Sequence, residues 1–204
     1  NTVNLGIAVD TPRGLMVPNV FGAEKLSLND LANYYSYNDN YDEAIKLSKK
    51  AASIILKKYG EQHPNYATIL SNTAKFYSGL GEFYDAASTM EKVMEIQEKT
   101  IGKEHPSYIG SQNNLAYYQY QLGNYTEAIN LATIATEKYK QLLGENHPTY
   151  ATAVNNLAMY NNAVGNSDEA VNLAKIVAEI RKKVVREQHP SDAEALINLA
   201  SYYF

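Results

Sequence analysis

All four histidines of this chain stand directly before proline, in His63-Pro64, His105-Pro106, His147-Pro148 and His189-Pro190, and each pair follows the last by 42 residues. Other positions keep the same period. Ala32, Ala74, Ala116, Ala158 and Ala200 align, as do Leu31, Leu115, Leu157 and Leu199, with Thr73 replacing Leu in the second repeat. Gly81, Gly123 and Gly165 mark one turn, and Gly60, Gly102 and Gly144 another. Five columns at one spacing make the chain an internal repeat, and a repeat of this length restricts the fold to a solenoid whose units pack mainly on their neighbours. The repeats run over about residues 23–62, 63–104, 105–146 and 147–188, with a partial fifth at 189–204.

Within a repeat the residues call for two antiparallel helices. Proline after each histidine suits the first helical position, where its missing N–H costs nothing. Between Tyr108 and Leu122 the apolar residues Leu115, Ala116 and Tyr118 form part of one helical stripe. Gly123 is then available for the left-handed position that ends a helix. Tyr125, Ala128, Ile129, Leu131, Ala132 and Ala135 form a second stripe that runs to Gly144. Ala44, Ala86, Ala128 and Ala170 are small enough to let the paired helices approach closely. The expected architecture is all-α, a right-handed superhelix of antiparallel helix pairs.

The matching text is Asn-Asn-Leu-Ala at 113–116 and 155–158, Gly-Asn-Tyr-Thr-Glu-Ala at 123–128 and Leu-Gly-Glu-Asn-His-Pro at 143–148. It resembles the tetratricopeptide repeat, in the 42-residue form of kinesin light chains, over about residues 23–204. The ordinary unit has about 34 residues. Eight more, about two turns at ~1.5 Å per residue, would lengthen the second helix and its linker.

Residues 1–22 break the period, with Phe21-Gly22 where the register would call for His-Pro. Val3–Val9 and Leu15–Val20 are β-rich runs flanking turn chemistry at Asp10–Gly14, the pattern of a hairpin. Residues 4–20, continuing through Lys25–Leu28 to Leu31-Ala32, resemble a fragment of the acyltransferase component of 2-oxo-acid dehydrogenase complexes. That family's catalytic His-x-x-x-Asp-Gly does not occur in this chain, where every histidine precedes proline. No lipoyl-lysine motif is evident either. The segment reads as a gene fusion or recombination scar, and a two-stranded hairpin should pack on the first helices or be poorly ordered.

Composition removes several functions. The chain has no cysteine, hence no disulfide, thiolate metal site or cysteine nucleophile. A net charge of −4 without a basic face argues against nucleic acid. No run approaches the ~20 apolar residues that span a bilayer, so no membrane association is expected. Starting at Asn1 without a basic leader and ending at Phe204, the chain is expected to be a cut piece. The histidines lie one repeat apart, too far to share an ion, and read as loop and cap residues. Asp42-Glu43 and Asp168-Glu169 begin second helices, while Lys49-Lys50, Lys57-Lys58 and Arg181-Lys182-Lys183 lie towards their C-termini, as the helix dipole favours. Asn124-Tyr125-Thr126 matches a glycosylation acceptor but falls in an interhelical turn. No catalytic residue, metal ligand or cofactor is expected.

The informative columns lie on the first helices, which line the concave face in the resembled family. Asn72, Asn114, Asn156 and Asn198 recur, with Asp30 in the first repeat, and Asn113 and Asn155 stand beside two of them. Asparagine is disfavoured inside helices, because its side chain competes for backbone hydrogen bonds. Its amide both donates and accepts, so a ladder of amides can pair with an extended peptide backbone, the role the resemblance implies. The alternative is that the column only bridges neighbouring repeats. Asn33, Lys75, Tyr117 and Met159 lie one turn away, with Ser36, Ser78, Tyr120 and Asn162 beyond. This polar, aromatic surface suits an uncharged or mixed peptide with an aromatic or aliphatic anchor. Tyr34, Tyr35, Tyr77, Tyr118 and Tyr160 are expected in the core, with hydroxyls reaching a partner or solvent.

Three functions remain open. The first is a protein-binding scaffold or adaptor, for which the resemblance implies a cytoplasmic setting and motor association. The second is a self-associating module, a homo-oligomer joined through an uncapped final helix carrying Leu196, Ile197 and Tyr202. The third is an acyltransferase remnant without catalytic residues.

Overall fold

The computed structural model describes residues 5–6, 9–11, 14–16, 19–20 and 27–184. The partial fifth repeat, with Asn198 and the final helix expected there, lies outside the described residues. The described part opens with β1 (Leu5–Gly6), β2 (Val9–Thr11), β3 (Gly14–Met16) and β4 (Asn19–Val20). β2 pairs antiparallel with β3, and β1 with β4, in one nested register that sets Thr11 opposite Gly14 and Leu5 opposite Val20. The expected hairpin is present, and Asp10, Thr11 and Gly14, read as turn residues, belong to its strands.

Eight helices follow among the described residues. They are α1 (Leu28–Tyr37), α2 (Tyr41–Tyr59), α3 (Pro64–Leu80), α4 (Phe83–Thr100), α5 (Pro106–Gln121), α6 (Tyr125–Leu143), α7 (Pro148–Ala163) and α8 (Ser167–Val184). The chain forms two compact units, Asn1–Thr100 and Ile101–Phe204. The first holds α1 to α4 and the second α5 to α8, and within each every helix packs on the next.

The helix starts explain the histidine column. His63, His105 and His147 are the residues before α3, α5 and α7, and Nδ1 of each accepts the backbone N–H two residues on, at 3.2, 3.1 and 3.1 Å. A neutral imidazole thus does what Ser or Asp does at other helix starts, and the following proline sits at the first helical position in all three. α1 starts differently, with a capping box. Ser27 Oγ accepts the Asp30 N–H at 3.2 Å, and Asp30 Oδ2 accepts the Ser27 N–H at 3.0 Å. Those hydrogen bonds hold the Asp30 carboxyl below its ordinary value, so their contribution is present at neutral pH and lost as acid protonates Asp30.

The six periodic glycines end the helices, all at φ between 80° and 83°. At Gly81 the backbone is in the left-handed region and its N–H returns to the Ser78 and Tyr77 carbonyls, a closure that a Cβ would strain. One period earlier the position is Asp39, at φ 58°, a residue whose short polar side chain tolerates this conformation.

Alanines draw the helices together. Ala32, Ala74, Ala116 and Ala158 on the first helices and Ala44, Ala86, Ala128 and Ala170 on the second are all 0% exposed. A larger side chain in such a seam meets a well-packed neighbour rather than solvent. Around the seam of the second unit gather Ile109, Val154, Leu157, Tyr160, Leu173, Val177 and Ile180. The buried set is not wholly apolar: the first unit also buries Ser48, Thr73 and Gln97, and the second Ser111, Gln112, Thr136 and Asn161. Thr73, standing where other repeats have leucine, is 3% exposed and its hydroxyl meets Ser48 Oγ at 2.7 Å. Thr73 also donates to the Ile69 carbonyl at 2.8 Å. The polar substitution is matched from both sides, so it leaves no orphaned group.

Two expectations are corrected. Lys49 and Lys50 lie in the middle of α2 rather than near its end, and Lys49 Nζ stands 5.2 Å from the Tyr77 ring centroid. Of the five tyrosines assigned to the core, Tyr118 and Tyr160 are buried, whereas Tyr34, Tyr35 and Tyr77 are half-buried. Moreover, the hydroxyls of Tyr34 and Tyr160 are buried and have no hydrogen-bond partner among the described residues. Ring packing outweighs hydroxyl satisfaction there.

Two outcomes follow for stability. His105→Ala should lower the unfolding free energy by about 0.5–1 kcal/mol while His105→Asn retains most of it, read by urea denaturation, because asparagine keeps a side-chain acceptor. Ala128→Leu should cost about 1–3 kcal/mol by overpacking, whereas the same change at the exposed Ala163 should stay within about 0.5 kcal/mol.

Candidate functional site

The first helices present the predicted columns as follows. In the first unit Asn72 is half-buried and Lys75, three residues on, is exposed on the same face of α3. Asn72 Nδ2 donates to Asn29 Oδ1 on α1 at 3.4 Å, a long bond and an example of the bridging alternative. Asp30, the first-repeat member of the column, is committed to the Ser27 capping box. The amide column therefore begins at α3. Asn33, Ser36 and Ser78 are half-buried.

In the second unit Asn113 and Asn114 on α5, and Asn155 and Asn156 on α7, are all half-buried in helix interiors. Asn156 stands 43 residues after Asn113, the separation of Asn72 from Asn29, yet Asn113 Oδ1 is buried with no partner among the described residues. Tyr117, Tyr120 and Met159 are brought together, each partly buried at the border of one core cluster. Tyr120 stacks on Tyr160 with centroids 4.9 Å apart and lies 5.6 Å from Tyr125. Tyr117 sets its edge against Tyr118 at 5.9 Å and its hydroxyl accepts Gln121 Nε2 at 2.9 Å. Asn162 is half-buried near the end of α7. Lys75 belongs to the other unit, and Asn198 lies outside the described residues.

Burial, with Tyr117 and Tyr120 close by, pushes the Tyr160 phenol well above its ordinary value, and burial does the same to Tyr118. Both stay protonated and neutral at any physiological pH, so this is a surface of amides, neutral phenols and a thioether. It can donate and accept hydrogen bonds and cover an apolar side chain. It holds no acid–base pair poised for proton transfer. Among the described residues no group of three or more His, Asp or Glu could hold a metal ion. No described helix is long and apolar enough to cross a membrane.

The remaining candidates take structural places. Asn124 Nδ2 donates to Gln119 Oε1 at 2.8 Å, closing the α5–α6 turn. Asp42, Glu43, Asp168 and Glu169 occupy first turns, and Lys57, Lys58 and Arg181–Lys183 last turns. Sequence reasoning passed over one column, Tyr66, Tyr108 and Tyr150, which open α3, α5 and α7 at 5%, 7% and 7% exposure. Its signal was its own period of 42 residues.

Comparison with known proteins agrees with this geometry. The tetratricopeptide repeat family matches over residues 24–99, 71–141 and 109–183. A Podosopora anserina protein described as a kinesin light chain with nearly identical TPR-like repeats superposes with a TM-score of 0.76 at 31% identity, over 87% of this chain and 84% of that one. BtubC (BKLC) from P. vanneervenii superposes at 0.77 over 86% of this chain and 70% of its own, and at 23% identity shows the fold alone. The dihydrolipoyllysine-residue acetyltransferase component of the pyruvate dehydrogenase complex of Mycoplasma capricolum subsp. capricolum is 37% identical over 76 residues. That match takes in 36% of this chain and only 17% of the relative's length, a fragment resemblance. By its repeats, its helix pairs and its neighbours, this chain belongs to the tetratricopeptide repeat family, in the kinesin-light-chain-like form.

Proposed function

We propose that this chain is a protein-binding scaffold that grips an extended peptide across the exposed faces of its first helices. The fold is of a kind that is typically non-catalytic and serves protein–protein interaction. One observation carries the finer reading. Asn72, Asn114 and Asn156 stay half-buried inside helices, beside fully buried alanines, in three successive repeats. Asparagine costs helix propensity there, and a carboxamide is the side chain that pairs with both the N–H and the C=O of a backbone in any sequence.

Residues three positions on from each Asn set what the peptide carries. Lys75, Tyr117 and Met159 differ in charge and shape, so selectivity rests on a mixed peptide with an aromatic or aliphatic anchor near Tyr117, Tyr120 and Met159. The kinesin light chain named above suggests a role in linking cargo or regulatory partners.

The test compares proteins captured by the wild-type chain and by the Asn72→Ala/Asn114→Ala/Asn156→Ala variant, with circular dichroism and melting recorded on both. Partners should be lost from the triple variant while helicity and melting stay within the error of wild type. Partners retained equally by both would make the amide column structural and move the binding surface elsewhere.

A further inference from the structure

Charge is unevenly placed in the second unit. α5 and α7, 16 residues each, contain no Asp, Glu, Lys or Arg. At the 20% charged content of the whole chain, a stretch of that combined length would hold about six. α6 and α8 instead carry five carboxylates and six cations between them.

Burial does not account for the difference. Asn113, Asn114, Tyr117 and Tyr120 on α5, and Asn156 and Met159 on α7, are only half-buried. Lysine, glutamate and arginine favour a helix more than asparagine does, so a face that only met water would be better built from them. The two helices keep charge off this face at a cost in helix propensity. The rings beneath add none, since burial keeps the Tyr118 and Tyr160 phenols protonated.

Such a face discriminates. It offers hydrogen bonds and apolar cover but no counter-ion. An ionised side chain pressed against it loses water and gains no partner of opposite sign, so a charged segment is rejected. An uncharged segment meets no such cost. Tyr117 and Met159 both border the core cluster, where a phenol and a thioether seat an aromatic ring through edge, face and sulfur contacts. In the first unit Lys75 is exposed on α3, so the exclusion of charge belongs to the second unit alone.

We propose that the first-helix face of the second unit selects an uncharged segment of a partner protein, rich in amides and hydroxyls around one aromatic residue, and turns away segments charged within that stretch. This selectivity presupposes the peptide-binding role proposed above and narrows it to one class of peptide.

The probe is a phage-displayed library of random peptides of about 12 residues, long enough to cross two helices at ~3.3 Å per residue. It is panned against the full chain and against Asn114→Ala/Asn156→Ala, and clones that need the two amides are synthesised. These should hold an aromatic residue with no Asp, Glu, Lys or Arg within about three positions, the reach of one ~10 Å helix spacing. Their affinity should change less than about twofold between ~0.05 and ~0.5 M NaCl, a range that screens exposed ion pairs. Met159→Lys should weaken them about tenfold or more, while the uncharged Met159→Gln stays within about threefold and both variants melt as wild type does. Amide-dependent clones that carry a charge beside the aromatic residue, or that weaken more than about fivefold at high salt, would overturn this selectivity and leave peptide binding standing. A dimer in light scattering that Met159→Lys abolishes would overturn it too, since a second copy would then be the occupant. The absence of any amide-dependent clone would sink the peptide-binding role together with it.

Discussion

Close contact between alanines holds these helix pairs together, and most other features of the chain are arranged around it. Each described helix contributes at least one alanine that is wholly buried, among them Ala32, Ala44, Ala74, Ala86, Ala116, Ala128, Ala158 and Ala170. With only a methyl group at these positions, paired backbones are free to approach closely. The larger side chains then interdigitate on either side. The same geometry fixes what faces outward. On α3, α5 and α7 the amide stands two residues before the alanine, about 160° around the helix from it, so it cannot join the seam. Lys75, Tyr117 and Met159, three residues after the amides, share their face. A surface of interaction side chains follows from where the alanines are.

The first repeat departs from the rest, and its departures are mutually consistent. Its Ser48 meets the Thr73 hydroxyl of the second repeat where other repeats pack apolar groups. Asp39 does the work of glycine at the turn, and α1 is 10 residues long where α3, α5 and α7 have 16 or 17.

Much of this was legible in the sequence because the repeat averages over its own noise. The His-Pro pairs at 63, 105 and 147 announced helix starts, and the glycine columns announced ends, each by a local mechanism that one residue type enforces. The hairpin was legible from alternation and turn chemistry. What the sequence hid was relational. Nothing in the text of Asp30 says that Ser27 will hold it, nor that Lys49 will lie over Tyr77 from the middle of α2. Tyr160 illustrates the harder case. Its type and period predicted burial, while the fate of its hydroxyl depended on where Tyr117 and Tyr120 came to rest.

The acetyltransferase resemblance leaves this reading unchanged, because it takes in 36% of this chain and only 17% of the relative's length. The central claim is that partners meet the first helices. It is tested most directly by placing a photo-crosslinking amino acid singly at Lys75, Tyr117 or Met159, and at Glu91 or Glu137 on the second helices, then irradiating in cell extract. The account predicts one shared set of crosslinked partners from the first three positions, competed by unlabelled chain, and none in common from the other two. Crosslinks confined to Glu91 and Glu137 would contradict it.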